Sequence, residues 1–253
     1  MGTFLIIYPV LFYFIVSMFV MCVLEIFMSD SQAMYTIRQT IGAAVTIPFI
    51  RKLYRMDSML RNKVPEGKSR ADKCLQYVYA AFTVAFLGVT LNNLIGLTPL
   101  EKISTSYTEV TNSFYGSTLA IELVGLGIVI PFAEELLYRG VLYGRIKDWL
   151  DARHAIVISA VIFGIVHLNL VQFLYAFLMG LLLAWFTERY HSFIPAFFGH
   201  AAANILSILR QELGIFDFME KSTLGFLIWT IVIAGVTGSL FGLQFKVKKL
   251  QAE

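Results

Sequence analysis

The stretch 118–140, TLAIELVGLGIVIPFAEELLYRG, decides how the chain is read. From Thr118 to Phe132 it is apolar enough to enter a membrane, and then it turns polar with Glu134, Glu135 and Arg139. A helix needs about 20 mostly apolar residues to cross roughly 30 Å of hydrocarbon. A charge placed in that hydrocarbon costs about 2.5–3.5 kcal/mol on insertion scales, so three in one stretch need a reason. If the helix continues to about Trp149, Glu134 stands 13 residues before Lys147. At 1.5 Å per residue that is roughly 20 Å from the charged end, near mid-membrane. Glu135 and Arg139 are four apart and can pair on one face, whereas Glu134 points about 100° away, toward the side of Tyr138. One carboxylate can then be neutralised while its neighbour stays available for chemistry. The competing reading is a charged turn at the membrane surface with both glutamates solvated.

The rest of the chain favours the membrane reading. Of 253 residues, 58% are hydrophobic and 15% charged, with a mean hydropathy of +0.72. Soluble domains run nearer about 45–50% apolar and about 25% charged, which argues against a soluble enzyme, a coiled coil or a disordered chain. A formal charge of +3 gives no reason to expect nucleic acid as a partner. Cys22 and Cys74 lie in separate apolar segments, match no metal or redox spacing, and read as packing residues.

Seven further segments are span candidates: Phe4 to Met28, Met34 to Ile50, Leu75 to Leu97, Ala155 to Leu168, Val171 to Phe186, Phe193 to Leu209 and Leu224 to Phe245. The first lacks the cationic start and small-residue cleavage site of a signal peptide and is kept in the mature chain. The expected fold class is therefore all-α, a polytopic transmembrane helix bundle of about eight spans, forming one membrane-embedded domain over 1–253. With alternating spans, fifteen of the 20 Lys and Arg fall on one face, against three on the other. The positive-inside rule then puts both termini in the cytoplasm. The basic stretch Arg51 to Lys73 is read as this topology signal. Asp57 to Asp72 reads as a linker, Thr98 to Ser117 as an external loop, and no internal repeat is present.

Polar residues recur in two later spans. Phe163-Gly164-Ile165-Val166-His167 carries a histidine roughly 20 Å from the start of its span, where packing and catalysis are both open readings. His200-Ala201-Ala202-Ala203-Asn204 places an imidazole and a carboxamide on one helix face. Its alanines also suit a close helix seam. Arg38, Gln39 and Glu122 read as snorkelling or interhelical pairs, and His154 and His191 as interfacial. Taken jointly, a free carboxylate, two imidazoles and a carboxamide come from three helices at comparable depth. Such groups persist in lipid when they face one another or a wet cavity, and together they equip a site for hydrolysis.

Glu134-Glu135 with Arg139, Phe163 with His167, and His200 with Asn204 resemble, in order, the three motifs of the CPBP intramembrane proteases, also called the type II CAAX prenyl endopeptidase or Abi family. The likeness covers Thr118 to Leu209, with a catalytic core at 118–209. It implies an intramembrane endopeptidase that cleaves a membrane-associated peptide or protein, with membrane lipid as its surroundings, and the basic stretch Arg51 to Lys73 reads as that of a bacterial plasma-membrane protein. By the same resemblance Glu134 is the general base aided by His167, His200 and Asn204 form the oxyanion hole, and Glu135 with Arg139 gives support. Elementary chemistry agrees: a carboxylate taken out of water is a stronger base than a solvated one, and a donor aimed at an oxyanion contributes about 2.7–4 kcal/mol in studied cases. Metal stays open. Glu134, His167 and His200 are also the ligand types of a catalytic zinc, but no His-Glu-x-x-His occurs, and a metal-independent water is favoured. Two other functions compete: a non-catalytic immunity or binding protein using the same cluster, as implied for relatives near bacteriocin genes, and a transporter. Against transport, no pair of broken helices occupies matching halves.

Overall fold

The computed structural model describes residues 2–28, 31–61, 70–100, 104, 106, 107, 109 and 115–250. Among these, eight long helices and no strands form an all-α bundle. They are α1 (Gly2–Phe27), α2 (Gln32–Leu60), α3 (Arg70–Gly96), α4 (119–147), α5 (Ala152–Ile165), α6 (Leu170–Tyr190), α7 (Ile194–Leu213) and α8 (Thr223–Leu250), with a 3-10 turn at Asp217–Met219 before the last. Four stretches are long and apolar enough to cross a membrane on those grounds alone: Phe4–Phe27, Cys74–Gly96, Leu170–Tyr190 and Thr223–Phe245. The other expected spans correspond to helices that are shorter or carry more polar residues.

Boundaries differ from expectation in three places, each with a local cause. First, α2 stays helical past Ile50 to Leu60, so Arg51, Lys52 and Arg55 lie on a helix and not in a loop. No Gly or Pro interrupts 49–60, and Asp57 pairs with Arg61 one turn on at 3.7 Å. The rest of the basic stretch at 62–69, and most of the expected external loop at 101–114, lie outside the described residues.

Second, α4 is a single rod that twice widens into π-helix, at Gly125–Val129 and Leu136–Leu142. The glutamate pair rides on the six-residue α segment Ile130–Glu135 between them. Third, α5 stops at Ile165, so His167 sits on a turn instead of inside a span. Asn169 organises that turn. Its Oδ1 accepts from the Gln172 N–H at 2.8 Å, and its Nδ2 donates to the His167 carbonyl at 3.2 Å. Leu168 between them adopts φ 60°, an uncommon left-handed conformation for a leucine.

Helix α4 lies at the centre, against α1, α2, α5, α6 and α7. Its Leu136, Leu137, Tyr138, Val141 and Leu142 form one core with Ile50 and Leu53 of α2, Phe163 of α5, and Ala176 and Ala184 of α6. On the other side α7 packs closely on α3 because Gly199 has no side chain; a Cβ there would come within 2.7 Å of Val84 Cγ2. By contrast, only 11% of each span window on α1 and α8 is buried. Phe4, Ile15, Phe19, Leu224 and Ile231 all face outward, a surface matched to hydrocarbon.

The helix ends that the sequence assigns to one face do gather at one end. Arg145 of α4 donates to Asp57 of α2 at 2.7 Å and to the Leu5 carbonyl of α1 at 2.6 Å. Arg61 and Asp148 form a bidentate pair, and Lys147 meets Glu188 of α6 at 2.6 Å. At the other end, Arg210 links Asn93 of α3 to Glu220, and Asn93 donates to Thr230 of α8 at 3.0 Å.

Candidate functional site

The site is assembled from α4, α5, the turn after α5, and α7. Glu135 is its fixed point. Its side chain is fully buried and stands 3.2 Å from Arg139 Nε, one turn further along α4, whose side chain is also fully buried. Arg139 is held on two more sides. Its Nη2 donates to the Gly180 carbonyl of α6 at 3.4 Å, and its guanidinium carbon lies 4.4 Å from the centre of the Phe163 ring. Gly180 makes that approach possible, since a Cβ there would lie 3.3 Å from Arg139 Nη2 and 3.2 Å from Ala160. The pair of expectations for Glu135 and Arg139, mutual neutralisation on one face of a buried helix, corresponds to this arrangement.

Glu135 has a second contact that spacing along α4 could not show. The Nδ1–H of His200 on α7 donates to its Oε1 at 2.9 Å. That bond fixes the tautomer and the ring plane, and turns the other ring nitrogen outward. Nε2 of His200 consequently stands 3.9 Å from Glu134 Oε2. Glu134 has 19% of its side chain exposed where Glu135 has none. Two adjacent carboxylates on one helix are thus differentiated by their surroundings: one enclosed between an arginine and an imidazole, the other partly exposed.

His167 reaches the same region from the turn after α5. Its Nδ1–H donates back to the Phe163 carbonyl at 2.8 Å, leaving Nε2 as the free ring position. Phe163 separates and aligns the two imidazoles. The His167 ring packs against it at 5.3 Å between centroids and the His200 ring at 5.8 Å, both edge-on. Tyr138 packs against it from a third side at 5.0 Å.

Asn204 lies one turn beyond His200 on α7. Its Nδ2 donates to the Leu126 carbonyl of α4 at 2.9 Å. The structure therefore brings Glu135, Arg139 and His200 into direct contact, holds Glu134 3.9 Å from His200, sets His167 against their shared aromatic neighbour, and ties Asn204 to the α4 backbone. Three His, Cys, Asp or Glu side chains placed to hold one metal ion do not occur among the described residues.

Two residues were missed by sequence reasoning. Phe163 served only as a motif letter, yet it touches Arg139, Tyr138, His167 and His200. Tyr13, on α1, is buried within electrostatic range of Glu134, as is the Tyr138 phenol, which has no hydrogen-bond partner among the described residues. Nothing in the first span distinguished Tyr13 from an ordinary apolar-span tyrosine. Of the residues read as peripheral, Glu122 is buried and accepts from the Ser117 N–H at 3.1 Å, Arg38 is buried, and His154 pairs with Asp151 at a helix start.

Two relatives and one family model match parts of the chain. The Lactococcus lactis protein named UPF0177 protein YxdF is 24% identical over 142 residues, which is 52% of this chain and 75% of that protein. The Bacillus subtilis protein named "Putative membrane peptidase YdiL" is 29% identical over 96 residues, 38% of this chain and 39% of that protein. No solved structure matches the chain. The model of the family described as type II CAAX prenyl endopeptidase Rce1-like matches residues 116–206, the span that holds all three motifs. Over those residues the chain, an all-helical membrane protein, resembles the type II CAAX prenyl endopeptidase family of membrane proteases.

Proposed function

We propose that the protein is an intramembrane endopeptidase that hydrolyses a peptide bond of a membrane-associated peptide or protein, using a water activated by Glu134. The observation that supports this most directly is the 3.9 Å separation between Glu134 Oε2 and His200 Nε2. One water can bridge that separation, donating one O–H to the carboxylate and the other to the imidazole. Its lone pairs then point away from both, toward an incoming carbonyl carbon.

In the proposed step Glu134 takes a proton as the water oxygen bonds to the carbonyl carbon, and the C=O electron pair moves onto oxygen. His167, whose Nε2 keeps a lone pair while Nδ1–H bonds the Phe163 carbonyl, aids Glu134 as an acceptor on the water side of the site. Collapse breaks the C–N bond, and the leaving amine takes the proton back from Glu134. Glu135 and Arg139 hold His200 in register and touch no substrate. Among the described residues no three His, Cys, Asp or Glu side chains are placed to hold one ion. No step is routed through a metal.

Entry of water and substrate is proposed from the end where Arg61, Arg145 and Lys147 gather, with both termini on the cytoplasmic side. The test uses protein purified in detergent and a panel of single-span reporter peptides. Glu134→Gln is expected to lower cleavage by roughly 10²–10⁴, the usual contribution of a general base. A cleavage rate unchanged by Glu134→Gln sinks the proposal. Prolonged chelation is expected to leave the wild-type rate unchanged; a chelator-sensitive rate restored by zinc sinks the metal-independent part alone.

A further inference from the structure

In the first π-helical turn of α4, the N–H of Ile130 reaches back five residues to the Gly125 carbonyl. The next donor in that register would be the N–H of residue 131, and its acceptor would be the Leu126 carbonyl. Residue 131 is proline and has no N–H. A buried carbonyl without a donor is costly, so a partner has to come from elsewhere. The partner is on α7: Asn204 Nδ2 donates to Leu126 O at 2.9 Å.

We propose that Asn204 is a positioning residue that substitutes for the amide hydrogen Pro131 lacks, and so clamps the π turn that aims Glu134. This deepens the peptidase reading and rests on it for its catalytic consequence. Pro131 lies three residues before Glu134 on the same six-residue segment. The clamp joins the π turn just before that segment to α7, one turn beyond His200, the other residue whose distance to Glu134 has to be kept. A loss of the clamp frees the π turn to slide, and a shift of about 1 Å at a reacting group can lower a rate on the order of a hundred-fold.

The experiment is a double-variant cycle on the full chain in detergent: wild type, Asn204→Ala, Pro131→Ala and the double variant. Thermal midpoint and the kcat and KM of reporter cleavage are measured on all four. Asn204→Ala is expected to lower the midpoint by about 4 °C, and kcat on the order of a hundred-fold with little change in KM. Pro131→Ala restores a backbone N–H next to Leu126 and is expected to stay within about three-fold of wild type, well inside the loss that a misplaced group causes. In the double variant most of the midpoint loss should be recovered. Additive midpoint losses overturn the proposal. A double variant whose midpoint recovers while its kcat stays at the Asn204→Ala level upholds the clamp and leaves the kcat loss to the oxyanion contact that the resemblance gives Asn204. Inactive Pro131→Ala protein overturns the proposal too, since the requirement then lies in the proline. The midpoints need no turnover, so a wild type that cleaves nothing while the midpoints couple removes the peptidase reading and leaves the clamp standing.

Discussion

Glu134 and Glu135 differ by one position in sequence and by the whole of their surroundings. Glu135 stands between Arg139 and His200 with no exposed side-chain surface, so its charge belongs to the structure. Glu134 has partial access and one imidazole within 4 Å. Their neutral variants should therefore diverge. Glu135→Gln leaves Arg139 as an unmatched buried cation, and breaking such a pair costs about 3–5 kcal/mol. Its unfolding midpoint in detergent should fall by roughly 10 °C at the usual conversion for a chain of this length. Glu134→Gln should hold or raise the midpoint while abolishing cleavage. Parallel melting and activity curves on the two proteins check this directly. The reverse pattern would exchange the roles of the two residues. Sequence spacing showed which glutamate could pair with Arg139. It could not show the bond to His200, because those partners are 65 positions apart and meet only through the packing of α4 on α7.

At the scale of single elements, the helix starts and stops decide where the site residues point. The turn that carries His167 depends on Asn169, whose side chain caps α6 and holds the His167 carbonyl. Asn169→Ala should cost about 1 kcal/mol, the usual loss for an N-cap. Cleavage should also fall, because the imidazole loses its anchor; calorimetry and kcat on one preparation test both. Asp151 caps α5 outside the membrane. Hydrogen bonds from the His154 backbone N–H and then its imidazole hold the Asp151 carboxyl below the ordinary aspartate range. A depressed folded-state value means this stabilisation is present above the ordinary range and is lost as pH falls through it toward the folded value. Asp151→Asn keeps a capping side chain without the charge, so its midpoint should fall less steeply than that of wild type on the acid side.

Element types were largely legible because long apolar runs have few alternatives. The end of α2 was not: positive charge after Ile50 signals topology equally well from a loop or a helix, and only the Asp57 contacts to Arg61 and Arg145 select the helix. Nor did any composition mark the π turns of α4, since Gly125–Val129 reads GLGIV and suits a regular helix equally well.

For the whole molecule, the ionic contacts at one end act as a shared base plate. Arg145 alone connects α4 to α2 through Asp57 and to α1 through Leu5 and Tyr8. Arg145→Ala should cost about 1–2 kcal/mol by removing charge-assisted hydrogen bonds, while Asp57 keeps Arg61 at 3.7 Å. It should also loosen α1, which has little other burial. Faster proteolytic release of the first helix from detergent-solubilised protein would show that loosening, and unchanged release would refute it. The membrane architecture and the motif order could both be read in advance because lipid punishes misplaced charge severely. The depth of His167 could not, because α5 ends short of a full crossing.

The widened turn at Gly125–Val129 has a consequence for genetics. A π turn is equivalent to one extra residue spliced into an α-helix. Deleting a single residue there would let the rod relax to ordinary pitch while everything after it keeps nearly its original facing. The apolar run would be almost unchanged in length, so the translocon would insert the mutant chain as before. The same deletion in a regular turn of α4 would instead swing the glutamate pair by about 100°, yielding a stably inserted, catalytically dead protein and separating biogenesis from chemistry without touching any of the residues that perform the reaction.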